Sequence, residues 1–403
     1  MIVQRAHIYR LEPTPEQEAF LAQTSGACRA LYNLALEQRM MWRRERGTIT
    51  LKSQSRELTK LRAEIDWMKA APIHALQAAL KDLDRAFQNF FEGRASYPRF
   101  KRKGDGDGFH LKDKAYLGFK RLTRKLGAVK LPKIGWVKLR GYRPLGGELR
   151  NVTISRRDGH WYVAIAWQAE VADPAPSQMP EVGIDRGVAI FAALSTGINY
   201  TAPSFFMRIE TKLANTQRKL ARQIKGSANW RKTKARISRL HMKAANARRD
   251  FLHHTSLSIA KNHGMVVIEK LRVKNMSRSA KGTVEKPGKN VAAKTGLNRS
   301  ILDKGWSAFA VMLRYKLADR GGELIEVPPE YTSQTCAECG AISKASRKSQ
   351  SEFCCVDCGH EADADTNAAK NIIRLGHSRW ACGSNRSSGR NQELAQEATN
   401  VAA

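Results

Sequence analysis

No stretch of the 403 residues approaches the roughly 20 consecutive apolar residues that a membrane-spanning helix needs. The opening MIVQRAHIYRLEPTPEQEAF also lacks the apolar core and small-residue cleavage site of a secretory signal. No membrane partner is therefore expected, and a soluble cytoplasmic location is. Acids are scarce as well: 37 Asp+Glu face 70 Lys+Arg, a formal charge of +33. A surface so electropositive calls for a polyanionic partner. Cysteine is rare, with seven in the chain, of which Cys28 and Cys382 stand alone and five crowd between Cys336 and Cys358. That is metal-site usage and excludes a disulfide framework. The 42% of apolar residues suffices for folded domains, and a chain this long should hold two or three of them.

The first segment, MIVQRAHIYRLEP, alternates like a strand and ends at Pro13. Helical spacing follows, with Thr14 placed to cap and Glu16 or Gln17 in the first turn. A second helical region is expected over about 54–91, where Leu76, Leu80, Leu83, Phe87 and Phe91 recur every three or four residues. From Tyr97 the text becomes basic and β-rich, and Asp158-Gly159 makes a hairpin turn between two alternating runs. The proline-rich EVADPAPSQMP then reads as a linker. Beyond it come short strands with turns at Gly187 and at Thr196-Gly197, two basic helices at about 208–225 and 230–262, the strand GMVVIEKL, a helix over about 300–318, the strand GELIEVPP and a last helix over about 365–375. Three strands, a helix, a strand and a helix is the element order of an RNase H-like domain. The polar text after Gly376 is expected to be a disordered tail.

Cys336-x₂-Cys339, fifteen intervening residues and Cys355-x₂-Cys358 match four-cysteine zinc spacing. Four thiolates fill a tetrahedral Zn²⁺ and leave no position for substrate, so the expected zinc is structural. The doublet leaves Cys354 or Cys355 as the third ligand, and the CxxC rule favours Cys355. Three acids sit at informative places: Asp185 in VGIDRG, Glu269 in VVIEKL and Asp365 in ADTNAA. Taken singly, Asp185 could shape a turn, Glu269 could form a surface ion pair, and Asp365 could cap a helix, with Asp363 as an alternative ligand or cap. Together, at two strand ends and one helix start, they would gather at one sheet edge. Hard Mg²⁺ or Mn²⁺ requires such oxygen ligands, and two such ions neutralise charge at a phosphorus centre under attack.

Arg218, Arg222, Arg231, Lys234, Arg239, Arg248 and Arg249 lie in a run almost free of acids. It reads as a track for phosphates, against the alternative of a solvated helical face. Trp136, Trp161 and Trp230 could stack on bases, although core packing is the commoner use of tryptophan.

In LYNLALEQ, PIHALQAALKDLDRAFQNFF, YPRFKRKG, VGIDRGV, RLHMKAANARRDFLHH, VVIEKLRVKNM and FCCVDCGHEADADTNAAKNI the chain resembles the TnpB (OrfB) proteins of prokaryotic insertion sequences, relatives of the type V CRISPR effector nucleases. The resemblance runs in order from near the start to about residue 375. It implies a multidomain α+β protein that cuts DNA under RNA guidance. A RuvC nuclease domain of RNase H-like fold with a zinc-ribbon insert would accompany a β-barrel wedge domain interrupted by a helical recognition domain. The implied bounds are 1–12 and 96–172 for the wedge, 13–95 for the recognition helices, 173–180 for the linker, 181–331 and 361–376 for RuvC, 332–360 for the zinc insert and 377–403 for the tail. Asp185, Glu269 and Asp365 would be the three RuvC acids, binding Mg²⁺ or Mn²⁺. The implied partners are a guide RNA from the transposon end and double-stranded target DNA beside a short adjacent motif, with Gln77 a contact to that motif. The implied setting is the prokaryotic cytoplasm, at the nucleoid. The competing readings are a transposase with strand-transfer activity and a cleavage-deficient RNA-guided repressor.

Overall fold

The computed structural model describes residues 1–41, 49–104, 106–283 and 285–383, with side chains up to residue 378. The chain divides into two compact units, Met1–Val171 and Ala172 onward. Among the described residues, no helix is long and apolar enough to cross a membrane.

The first unit runs β1 (Ile2–Glu12), α1 (Pro15–Met40), α2 (Leu51–Glu64), α3 (Asp66–Ala70), α4 (Ile73–Phe91), β2 (Gly108–Leu111), β3 (Gly118–Arg121), β4 (Leu126–Leu131), β5 (Gly135–Arg140), β6 (Glu148–Arg157) and β7 (His160–Glu170). β1 pairs antiparallel with both β5 and β7, so the four helices are an insertion between sheet strands. Thr14 and Gln17 form a reciprocal capping box, with Pro15 at the first helical position where its missing N–H costs nothing. The helical region expected over 54–91 is helical and consists of three helices, because the chain is extended at Ile65 and again at Ala71 and Pro72. Leu76, Leu80, Leu83 and Phe87 are buried as expected. Phe91 is 77% exposed, because it closes α4 beyond the turn that the core covers.

Asp158 and Gly159 both adopt left-handed φ, at 51° and 79°, as a two-residue hairpin between right-twisted strands requires. The strand order is β2-β6-β7-β1-β5-β4-β3. Where a barrel is expected, the hydrogen-bonded order of the described residues ends at β2 and β3, each only four residues long. Trp161 belongs to this core, whereas Trp136 is 40% exposed beneath the Lys120 ammonium, 4.2 Å from its ring.

The second unit runs β8 (Val182–Asp185), β9 (Ala192–Leu194), β10 (Asn199–Tyr200), α5 (Met207–Ala221), α6 (Ala228–Asn262), β11 (Met265–Glu269), α7 (Val273–Met276), α8 (Val291–Lys304), α9 (Trp306–Ala318), β12 (Glu323–Val327), β13 (Glu352–Cys354), β14 (Glu361–Asp363) and α10 (Ala364–Gly383). Its main sheet has the order β10-β9-β8-β11-β12. The first three strands are antiparallel, and β11 lies parallel to both β8 and β12. The helix expected over 300–318 is two, α8 and α9, parted by Gly305 at φ 69°, a left-handed step that ends a helix. α10 continues past Leu375 and Gly376 to Gly383, so the first residues of the expected tail are helical, and 384–403 lie outside the described residues.

Strand alternation divides this sheet's two faces. Val182, Ile184, Val266 and Ile268 point into a core shared with α6 and α9. Val267 points the other way and packs with Ile372 of α10. α10 approaches closely because two contacts have no Cβ. A Cβ on Gly183 would lie 2.1 Å from the Ala369 carbonyl oxygen, and one on Gly376 would lie 2.5 Å from a Val267 methyl. Gly183→Ala must therefore push α10 off the sheet. We expect it to lower the stability of this unit by about 3 kcal/mol, as overpacking against an unyielding neighbour does, read as a lower denaturant midpoint.

Candidate active site

Asp185 ends β8, Glu269 ends β11, and Asp365 is the second residue of α10. Ile184 and Ile268 are partners in the parallel register, so the next residues, Asp185 and Glu269, lie side by side at the carboxyl edge. Each is two residues beyond one that α10 covers, Gly183 and Val267, so alternation turns both carboxylates to the face on which α10 begins. The structure thus brings all three acids together. Burial, then the charges of Glu269 and Asp365, push Asp185 up to about 7. Burial likewise raises Glu269, opposed by Thr332 and Arg186, and raises Asp365, with Asp363 adding to it and Arg347 opposing. The rise at Asp185 marks a carboxylate held close to two others without enough compensating charge, whereas Glu269 and Asp365 rise mainly by burial. Their oxygens do not all lie within 4.8 Å of one another, unlike the cysteine sulfurs described below.

Asp363 has a different task from Asp365. Its Oδ1 accepts from the backbone N–H and the hydroxyl of Thr366, at 2.9 and 3.0 Å, which caps α10. Asp365 is thereby left to face the cluster, with Arg347 Nη2 3.7 Å from its Oδ1. Glu269 is 8% exposed, and its Oε1 accepts from the Thr332 hydroxyl at 2.5 Å. The Arg186 guanidinium, 7% exposed, donates to the main-chain carbonyls of Glu269 and Trp306, tying the ends of β8 and β11 to α9. Sequence reading missed Thr332, Arg186 and Arg347 as parts of this site. Arg186 had a signal in its adjacency to Asp185, whereas Thr332 and Arg347 are ordinary residues in loop text.

The sulfurs of Cys336, Cys339, Cys355 and Cys358 lie within 4.8 Å of one another, with the 336–358 and 339–355 pairs at 3.7 Å. A tetrahedron with Zn–S bonds of about 2.3 Å requires edges of about 3.8 Å, so the donor set fits structural zinc. The sequence repeats the device as CAECG and CVDCG. In each, the N–H of the glycine bonds the first cysteine's carbonyl, and the glycine sits at positive φ, 80° for Gly340 and 72° for Gly359. Backbone N–H groups of Cys358 and Asp357 lower the Cys355 thiol to about 6, while Cys339 and Cys358, packed against the other sulfurs, are raised, so in the absence of a cation the four thiols share their protons unequally. Cys354 lies on β13, outside the cluster.

Arg218 on α5, Arg222 at its C-terminal cap, and Arg231, Lys234, Arg239 and Arg249 on α6 are exposed. α6 has 35 residues, a span of about 50 Å at 1.5 Å per residue, and Asp250 is its single acid. Arg248 differs from its neighbours, because it pairs at 2.5 Å with the buried Asp303, which also accepts from the Phe206 N–H at 3.0 Å. It braces α6 against α8. Gln77 is exposed on α4 between the buried Leu76 and Ala78.

A basic α+β protein with clustered acids at a sheet edge and a four-cysteine module beside them has the make-up of a nucleic-acid enzyme. Three family profiles match it. "Probable transposase" (OrfB, IS605) covers residues 164–280, "Cas12f1-like, TNB domain" covers 306–372, and "Helix-turn-helix domain" covers 1–48. Over the last of these the described residues form a strand and one long helix instead of two helices. The chain is 44% identical over 401 residues to "Putative RNA-guided DNA endonuclease InsQ" of Escherichia coli (strain K12), covering 98% of each. It is 35% identical to "Putative RNA-guided DNA endonuclease" of Streptomyces pristinaespiralis, covering 94% of this chain and 91% of that one. It shares its fold with the protein in the cryo-EM structure of a Cas12f1-sgRNA-target DNA complex, with a TM-score of 0.53 at 14% identity over 92% of this chain and 98% of that one. The chain belongs to the TnpB (OrfB, IS605) family.

Proposed function

We infer that the protein is an RNA-guided DNA endonuclease. The observation that carries this reading is the full-length match to a relative of that name, at 44% identity. The meeting of Asp185, Glu269 and Asp365 on one face supports the hydrolytic half of it. The strand order β10-β9-β8-β11-β12, antiparallel then parallel, supports an RNase H-like, RuvC-type nuclease domain over 181–331 and 361–376, with 332–360 as its zinc insert. The pairing of β1 with β5 and β7 supports a wedge of 1–12 and 96–172 around recognition helices in 13–95, joined to the nuclease by 173–180.

Asp185, Glu269 and Asp365 would hold Mg²⁺ or Mn²⁺, for which three buried or half-buried carboxylates are a fitting donor set. Two bound ions would supply charge neutralisation at phosphorus and a nucleophilic water for phosphodiester hydrolysis. Asp185 and Glu269 contribute rigidity, because each ends a strand held in the parallel register. The exposed basic residues of α5 and α6, without Arg248, would follow RNA or DNA phosphates, and Gln77 would touch the motif beside the target. The guide RNA would derive from the transposon end.

Protein purified with its co-expressed transposon-end RNA should cut a plasmid library with a randomised flank. Cuts that require both RNA and Mg²⁺, beside one enriched short motif, are the expected result. Joined strand-transfer products would favour the transposase reading, to which the profile described as "Probable transposase" points. RNA-dependent binding without cuts would favour a guided repressor.

A further inference from the structure

The parallel register fixes the Glu269 backbone, its pairing with Val327 followed by the Lys270 N–H bond to the Val327 carbonyl at 2.7 Å, but it does not by itself orient the side chain. What fixes its carboxylate is the Thr332 hydroxyl, 3% exposed, which donates to Oε1 at 2.5 Å. Thr332 comes from the loop between β12 and the first cysteine pair, and Tyr331 just before it takes a left-handed φ of 62°. A non-glycine residue in that region is strained and persists only where its surroundings demand it. Here the neighbouring hydrogen bonds demand it, since the Tyr331 carbonyl accepts from the N–H groups of Gln334 and Thr335, both at 3.0 Å.

The same loop is fastened to the helix that carries Asp365. Asn371 of α10, 2% exposed, donates to the carbonyls of Thr332 and Thr335 at 3.1 and 2.6 Å. Asn367, fully buried one turn earlier, donates to the Thr335 carbonyl at 2.8 Å and accepts from the Ala337 N–H inside the first zinc knuckle, also at 2.8 Å. An unbroken chain of buried and half-buried hydrogen bonds therefore runs from the knuckle through Asn367, Thr335, Asn371 and Thr332 to the Glu269 carboxylate.

We propose that Thr332 is a positioning residue that orients the Glu269 carboxylate for a divalent cation, and that Asn371 and Asn367 lock it to the helix bearing Asp365. The inference rests on the reading of Glu269 as a metal ligand. Partners that orient a ligating carboxylate commonly contribute 10–100-fold to metal affinity.

Calorimetric titration of Mn²⁺ into the full-length, zinc-loaded protein tests it without recourse to cleavage. Thr332→Val keeps the shape and removes the hydroxyl, while Thr332→Ser keeps the hydroxyl. Valine should weaken Mn²⁺ binding at least about 10-fold with zinc content retained, and serine should bind within about 2-fold of the parent. Wild-type affinity in the valine variant, or equal weakening in both variants, would overturn the proposal. Should the valine variant lose its zinc, Thr332→Ala stands in for it under the same criterion. Glu269→Gln separates the two levels of the argument: if it too binds Mn²⁺ like the parent, the metal-ligand reading has failed. If only it weakens, the fault lies with Thr332 alone.

Discussion

Replacing Asp185 with Ala should reduce RNA-guided cleavage at least about a thousandfold, equivalent to about 4 kcal/mol of transition-state stabilisation, and Glu269→Ala and Asp365→Ala should do the same. Binding of guide RNA and target DNA should stay within about twofold, because phosphate contacts elsewhere dominate affinity. Filter binding alongside single-turnover cleavage checks both, and residual cutting near the parental rate would remove that residue from the site. The same cluster predicts an opposite effect on stability. With Mg²⁺ withheld and zinc retained, Asp185 keeps its proton in the folded protein up to about pH 7. The unfolded chain releases it near about pH 3.9. Between those values the folded state binds more protons, so stability is highest at the acid end and falls as pH rises through about 7. Asp185→Asn carries no such charge. It should flatten that slope and exceed the parent at pH 8 by up to about 4 kcal/mol, which denaturant unfolding at two pH values measures.

The second large effect concerns the cysteines. Cys339→Ser should lose its zinc and destabilise the second unit, since zinc in small structural sites contributes on the order of 10 kcal/mol of folding free energy. Cleavage should fall at least about a hundredfold, about 2.7 kcal/mol, although Cys339 touches no carboxylate. The route is structural: the knuckle's Ala337 N–H holds Asn367, two residues from Asp365, and Arg347 of the same module faces the Asp365 carboxylate. Metal analysis, thermal unfolding and cleavage of the variant decide the matter. A stable, zinc-free and fully active protein would show that the module is dispensable to the site.

Much of this was legible beforehand because the signals are local. The cysteine spacing predicts a four-sulfur cluster but leaves Cys354 or Cys355 as the third ligand, with the CxxC rule favouring Cys355, and it is the sulfur of Cys355 that converges with the other three. Thr14 with Gln17 and Asp158 with Gly159 are short-range devices whose geometry follows from residue type. One failure arose where helical periodicity was trusted across a break, since the expected 300–318 helix divides at Gly305; the helical region over 54–91 holds, with its internal breaks at Ile65 and Pro72 set by local backbone. Phe91 kept the apolar spacing of α4 although it stays largely exposed, its ring meeting only those of Phe87 and Phe90 among the described aromatic contacts.

The sequence by itself determined the inventory: a basic surface, a four-thiolate zinc ligand set, and three acids each at the end of an apolar run or the start of a helix. Residue chemistry and near-neighbour spacing are enough for that. Only the tertiary structure decided how those acids are used. Asp185 and Glu269 share a face because β8 and β11 are in parallel register, and Asp365 reaches it because Gly183 and Gly376 let α10 lie close to the sheet. The hydroxyl of Thr332, the guanidinium of Arg347 and the pairing of Arg248 with Asp303 acquire roles only through contacts between distant segments. Spacing along one chain cannot encode such contacts, because they depend on which faces pack together.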